Sequence, residues 1–91
     1  MLPVVWLDEA RDVLHAITEY VTDWNPLAAL ELEMQITDSA QSLAQFPYAG
    51  RTGRVSGTRE LLAHPNYWLI YRVTLENVEV LGVLHVRREY P

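Results

Sequence analysis

The stretch Tyr67-Trp68-Leu69-Ile70-Tyr71-Arg72-Val73, followed after Thr74 to Asn77 by Val78-Glu79-Val80-Leu81-Gly82-Val83-Leu84-His85-Val86, is the clearest structural signal in the chain. Both runs are rich in β-branched and aromatic residues and alternate with a period of two, the signature of strands. In the first, Tyr67, Leu69, Tyr71 and Val73 share one face and Trp68, Ile70 and Arg72 the other, which predicts a strand buried on one side and partly covered on the other. In the second, Val78, Val80, Gly82, Leu84 and Val86 are expected on one face and Glu79, Leu81, Val83 and His85 on the opposite one. Thr74 to Asn77 is a short connection, with Asn77 available for a positive backbone angle.

Arg59 to His64 reads as a preceding strand, opened after Gly57 and stopped by Pro65 and Asn66, so the second half of the chain is a three-stranded meander. Phe46 to Arg54 carries one proline and two glycines and reads as a loop. Upstream of it the period changes. Val13, Leu14, Ile17, Tyr20, Val21 and Trp24 recur at helical steps and predict a helix over 8–23, with Asp8 at its N-cap and Asp12, Glu19 and Asp23 largely on the outer face. Asn25-Pro26 ends this helix and caps a second that runs to about Gln45, because proline at the first helical position gives up no hydrogen bond. The second helix has a broad apolar set, Leu27, Leu30, Leu32, Met34, Ile36, Ala40 and Leu43, suited to touching both its hairpin partner and a sheet. Val4 to Leu7, after Pro3, reads as an opening strand. The predicted class is α+β: an N-terminal strand, an α-helical hairpin, then a three-stranded antiparallel meander, in a single domain over 1–91.

Ninety-one residues suffice for one hydrophobic core, and 49% of them are hydrophobic, too many for a disordered chain. There is no cysteine, which removes disulfides and thiolate chemistry and fits a reducing compartment. No apolar run is long enough to span a membrane and no signal peptide is evident, so a cytoplasmic protein is expected. The formal net charge is −5, and every one of the seven basic residues is arginine. Residues 1–45 hold Arg11 against eight acids, a net −7, while residues 46–91 hold six arginines against four acids, a net +2. The acidic balance argues against indiscriminate nucleic-acid binding, whose affinity comes from neutralising phosphates, yet leaves room for a local basic surface in the second half.

The arginines are the strongest chemical feature. Arg51, Arg54 and Arg59 flank a glycine-rich loop, and Arg87 and Arg88 follow the last strand, so the meander has the means to gather planar donors for phosphate or carboxylate at one rim. The plainer alternative pairs Arg59, Arg72 and the terminal arginines with Glu60, Glu79 and Glu89 as surface salt bridges. The histidines His15, His64 and His85 lack a third ligand at metal spacing, so no metal site is expected. Lysine is absent, which excludes Schiff-base chemistry. Tyr90 suits stacking on a base or an apolar groove, or pinning the tail to the sheet. Trp6, Trp24 and Trp68 are expected to serve core or hairpin packing.

Five segments carry a family resemblance: Gly50-Arg51, Gly57-Thr58-Arg59-Glu60-Leu61, His64-Pro65-Asn66-Tyr67, Leu69-Ile70-Tyr71-Arg72-Val73, and Val83-Leu84-His85-Val86-Arg87-Arg88-Glu89-Tyr90-Pro91. With Trp6-Leu7 before an acidic helix and Phe46-Pro47 before the loop, they resemble the plasmid-stabilisation toxins of the ParE/RelE superfamily over nearly the whole chain. The resemblance implies the toxin of a bacterial type II toxin-antitoxin module, causing growth arrest and neutralised by direct binding of a cognate antitoxin. It also implies a helical hairpin on a curved antiparallel sheet, and no cofactor. An antitoxin is expected to cover the hairpin and sheet rim with an amphipathic segment, toxin arginines meeting antitoxin acids.

The superfamily divides into RelE-like enzymes, which cleave mRNA on the ribosome, and ParE-like inhibitors of DNA gyrase. RelE-like chemistry transfers poorly: the arginine those enzymes place before the middle-strand segment is Trp68 here, and the lysines some of them use are absent. If the chain were a nuclease, Glu60, His85, Arg87 and Tyr90 are the residues the resemblance offers. The tail is closer to the ParE branch. The expected target- or antitoxin-binding residues are therefore Arg51, Arg59, Arg72, Arg87, Arg88 and Tyr90, with gyrase the expected target and ribosome-bound mRNA the alternative.

Overall fold

A computed structural model describes residues 1–88. Its elements run β1 (Val4–Trp6), α1 (Asp8–Thr22), α2 (Pro26–Ser42), β2 (Arg51–Thr52), β3 (Arg59–His64), β4 (Tyr67–Val73) and β5 (Val78–His85). The sheet has the order β1-β5-β4-β3-β2, with β1 parallel to β5 and the remaining neighbours antiparallel. The predicted α+β order of strand, helical hairpin and meander is therefore present. The expected loop over 46–54 contains one departure, the two-residue strand β2, which pairs Arg51 with Glu60 and Thr52 with Arg59.

The helices end where local chemistry dictates. Asp8 is the first helical residue of α1 rather than its cap; Leu7 holds the cap position, and the Asp8 and Glu9 carboxylates sit in the first turn, where they complement the positive end of the helix. Asn25 does cap α2, its Oδ1 accepting the Ala28 N–H at 3.1 Å, with Pro26 at the first helical position. Helix α2 stops at Ser42, three residues short of the expected end, and residues 43–45 continue as turns.

Both helices pack on one face of the sheet. The core gathers Ala10 and Leu14 of α1, Leu32, Ile36 and Ala40 of α2, and Ala63, Leu69, Val80 and Val83 of the sheet. A second cluster, Leu43, Tyr71 and Val78, closes the end beneath the loop. The buried edge of each helix is narrower than its apolar sequence suggested. On α1 it is Ala10, Leu14 and Thr18, with Ile17 and Val21 partly covered, while Val13 and Tyr20 face water and Trp24, just past the helix, is 77% exposed. On α2, Ala29 joins the core and Leu27, Leu30 and Met34 do not.

Strand β5 also departs from simple alternation. Ile70 pairs with Gly82 but Tyr71 pairs with Val80, so Leu81 is an extra residue in a bulge. One extra residue flips every later side chain: Val83 follows Val78 and Val80 into the core, and Gly82 and Leu84 take the opposite face. The β4–β5 connection needs no left-handed residue, because Gly57 is the sole positive-φ position among the described residues. Thr74 holds it instead: its hydroxyl donates to Asn77 Oδ1 at 2.8 Å and accepts the Asn77 N–H at 3.0 Å.

Candidate partner-binding surface

The sheet face away from the helices carries Trp68, Ile70 and Arg72 of β4, because Tyr67, Leu69, Tyr71 and Val73 point into the core side. Around these residues the fold builds three features.

The first is an ion pair on an aromatic platform. Arg51 Nε donates to Glu60 Oε1 at 2.9 Å, and the guanidinium lies 4.4 Å from the Trp68 ring centroid. Glu60 is only 2% exposed, whereas the Arg51 side chain is half-exposed, so the pair presents a fixed cation to solvent over a buried anion. Glu60 Oε2 is buried without a hydrogen-bond partner, which makes Arg51 the group that stabilises this carboxylate in the interior. Pairing of Glu60 with Arg51, rather than with its neighbour Arg59, follows from β2–β3 register.

Beneath the pair, the loop that leads to β2 is pinned from below. The buried Tyr71 hydroxyl donates to the Pro47 carbonyl at 2.8 Å and accepts the Gly50 N–H at 2.9 Å. Arg59 Nη1 donates to the Gly50 carbonyl at 2.8 Å while its guanidinium lies 4.8 Å from the Tyr48 ring centroid. Arg59 thus holds the loop. Burial raises the Tyr71 hydroxyl above its ordinary pKa, against the opposing pull of the Gly50 hydrogen bond and the Arg59 charge. Gly50 is required by space: a Cβ there would stand 2.6 Å from the Glu60 carbonyl and 2.7 Å from the Tyr71 hydroxyl.

The third feature is an apolar concavity of about 310 Å³, lined by Val55, Thr58, Ile70, Leu81, Gly82 and Leu84 among others. The β5 bulge creates it by turning Gly82 to this face, where nothing lies within 4 Å of a Cβ built on it. Arg72, paired with Glu79 through Nε (3.0 Å) and Nη2 (2.6 Å), stands at one end of the same face.

The arginines are not gathered at one rim. Arg51 reaches over Trp68 from the edge strand β2, and Arg72 sits near the β4–β5 turn. Arg87 and Arg88 are exposed beyond the opposite end of β5, roughly 20 Å away along a seven-residue strand. His85 is at that same end but on the helix side, where Tyr67 stands between it and His64, with ring centroids 5.2 and 5.8 Å away. Each histidine accepts a backbone N–H at Nδ1, His64 from Asn66 and His85 from Arg87. With Nδ1 engaged, each ring has only Nε2 left for a further partner. Among the described residues no group of three His, Cys, Asp or Glu has the geometry to hold a metal ion. Tyr90 and Glu89 lie outside the described residues.

The sequence reading missed the Trp68 platform, the Tyr71 staple and the concavity. Only the last left a trace, the apolar Ile70 on the face opposite Leu69 and Tyr71. Among the described residues no helix is long and apolar enough to cross a membrane.

With this geometry in view, residues 4–90 match the family model described as the ParE toxin of the type II toxin-antitoxin system, parDE. A relative named "Putative toxin Y4kP" from Sinorhizobium fredii is 36% identical over 94% of this chain and 90% of its own length. "Toxin RelE2" from Caulobacter vibrioides is 34% identical over 97% and 99%. A solved structure described as the chromosomal ParDE TA system from P. aeruginosa superposes with a TM-score of 0.86 at 25% identity, covering 96% of this chain and 98% of that one. The chain belongs to the ParE toxin family of type II toxin-antitoxin systems.

Proposed function

We propose that this toxin arrests growth by binding a protein target, DNA gyrase, and that it does not cleave RNA. The observation that carries this reading is the separation of Glu60 from His85, the acid–base candidates among the described residues. Glu60 reaches, through Arg51, the Trp68 face of the sheet, whereas His85 packs on Tyr67 at the opposite face. General acid–base chemistry needs its proton donor and acceptor within hydrogen-bond reach of one reacting centre, which a sheet between them prevents. The exposed arginine on the outer face, Arg51, is already bound to a carboxylate, which reduces the charge it can lend to a phosphate.

The name of the Caulobacter relative favours a second reading, a ribosome-dependent mRNA interferase. Two assays separate them. Purified toxin should stall gyrase supercoiling at stoichiometric excess and leave A-site codons on programmed ribosomes intact. Unchanged supercoiling refutes the gyrase target, and codon-specific cleavage establishes the interferase. Membership of a toxin-antitoxin family implies an antitoxin partner; the outer sheet face, with its apolar concavity and the N–H donors of Arg51, suits a segment with an apolar anchor and hydrogen-bond acceptors, and the module would stabilise the replicon that carries it.

A further inference from the structure

The loop between α2 and β2 holds two aromatic side chains in solvent on a backbone that is tied down. Phe46 and Tyr48 are 63% and 66% exposed, on either side of Pro47. The Phe46 N–H donates to the Ser42 carbonyl and the Ala49 N–H to the Phe46 carbonyl, each at 3.1 Å. From below, the Tyr71 hydroxyl binds the Pro47 carbonyl and the Gly50 N–H, and Arg59 donates to the Gly50 carbonyl. The Tyr48 ring is held as well, with the Arg59 guanidinium 4.8 Å from its centroid. Exposed aromatic rings on a fixed backbone lose little freedom when a partner covers them, and that economy is what makes such residues effective anchors of an interface.

The charge around the loop is opposite in sign to that of the chain. No acidic residue lies between Asp38 and Glu60, and Glu60 is buried against Arg51. Arg59 binds a carbonyl and a ring and no carboxylate among the described residues, so its charge is kept. The complementary surface is an apolar pocket with a carboxylate at its rim. A nucleic-acid strand fits less well, because stacking needs open ring faces and phosphates need uncompensated cations. Here a guanidinium already covers one face of Tyr48, and Glu60 compensates Arg51.

We propose that Phe46 and Tyr48, with Arg59 beside them, are the surface by which the toxin grips its protein target, the two rings entering an apolar pocket whose rim supplies a carboxylate to Arg59. The inference rests on the reading of this toxin as an inhibitor of a protein target and adds the surface and chemistry of that contact. The loop follows the C-terminal end of α2, roughly 25 Å along that 17-residue helix from the turn that joins the hairpin, so contacts at the two ends are separable by mutation.

The test compares wild-type toxin with Phe46→Ser plus Tyr48→Ser, and with Phe46→Ser alone, which leaves the Arg59 contact with Tyr48 in place. Growth arrest is followed on induction at equal expression, supercoiling inhibition with purified gyrase, and antitoxin affinity by calorimetry. The double variant should lose growth arrest and need about tenfold more protein for half-inhibition of supercoiling, and the single variant about threefold more, as expected on removing anchor residues. Both should melt within a few degrees of wild type and bind antitoxin within twofold of it. Undiminished growth arrest in both variants overturns the proposal whatever the target is. An equal loss of antitoxin affinity also overturns it, by assigning the loop to the antitoxin. So does binding of a single-stranded oligonucleotide, or self-association in sedimentation, that wild-type toxin shows and the double variant lacks. If wild-type toxin leaves supercoiling untouched while the variants lose growth arrest, the gyrase reading fails and the loop assignment stands.

Discussion

Tyr71→Phe removes one oxygen and no ring, so its effect isolates the staple that holds the loop. Tyr71 is fully buried, and its hydroxyl is the partner of the Gly50 N–H and of the Pro47 carbonyl. Gly50 is itself buried, so the orphaned N–H has no ready access to water. An unsatisfied buried donor costs roughly 1–3 kcal/mol, and a lost hydrogen bond about 1 kcal/mol, so the substitution is expected to destabilise by about 2 kcal/mol or somewhat more. For a domain of this size that is a fall in Tm of roughly 8–16 °C. Denaturant unfolding and amide exchange at Gly50 measure it, and Gly50 protection should fall further than that of the β4–β5 amides.

The same hydroxyl gives a pH signature. Its folded-state pKa is raised above the ordinary 10 by burial, so the stability it contributes is fully present below about pH 10 and is lost as pH rises through the folded value. Wild-type stability should therefore fall above about pH 10 more steeply than that of Tyr71→Phe. A change in unfolding free energy below about 0.5 kcal/mol, with no difference in alkaline slope, refutes the staple.

Gly50→Ala forces a methyl group within 2.6 Å of the Glu60 carbonyl, and should cost roughly 1–3 kcal/mol, read by chemical denaturation. Arg51→Ala leaves Glu60 buried without its cation and should destabilise by about 2 kcal/mol; adding Glu60→Leu should recover most of that loss, because an apolar side chain needs no partner there. Deleting residues 87–91 removes the exposed Arg87 and Arg88 and should abolish growth arrest on induction while the Tm stays within a few degrees; toxicity and antitoxin affinity both unchanged would exclude a role for the tail.

Strands β3 and β4 were legible to the residue, because their alternation is bounded by Gly57, Pro65-Asn66 and Thr74, each a local signal. The β5 bulge was not. Val80 to Leu84 is apolar at every position except Gly82, so the pattern reads equally well in either register, and the pairing with β4 alone decides that Val83 is buried and Leu84 is not. Helix faces were blurred for a related reason. Apolar residues are spread widely around α2, and the sequence did not distinguish those that meet the sheet from those that face away. The Arg51–Glu60 pair depends on a strand of two residues, too short to carry a period, so its residues were legible and their partnership was not.

Trp68 changes meaning between sequence and structure. It occupies the place where the resemblance to RelE-like enzymes calls for an arginine, and by itself it reads as a lost cation. In the fold, a guanidinium does lie over that position, but it belongs to Arg51, reaches in from the edge strand β2 across β3, and is tied to Glu60 while it rests on the indole. A catalytic cation gains its effect from charge that is uncompensated until the transition state forms. Here the compensating carboxylate is buried 2.9 Å away in the resting state, so the pair is close to neutral when seen from a phosphate. What it keeps is a planar set of N–H donors near an apolar concavity, a combination suited to a partner's neutral hydrogen-bond acceptor, such as a backbone carbonyl, next to a hydrophobic side chain. Between the two readings of the toxin, this weighs toward protein recognition on the outer face and away from phosphoryl chemistry.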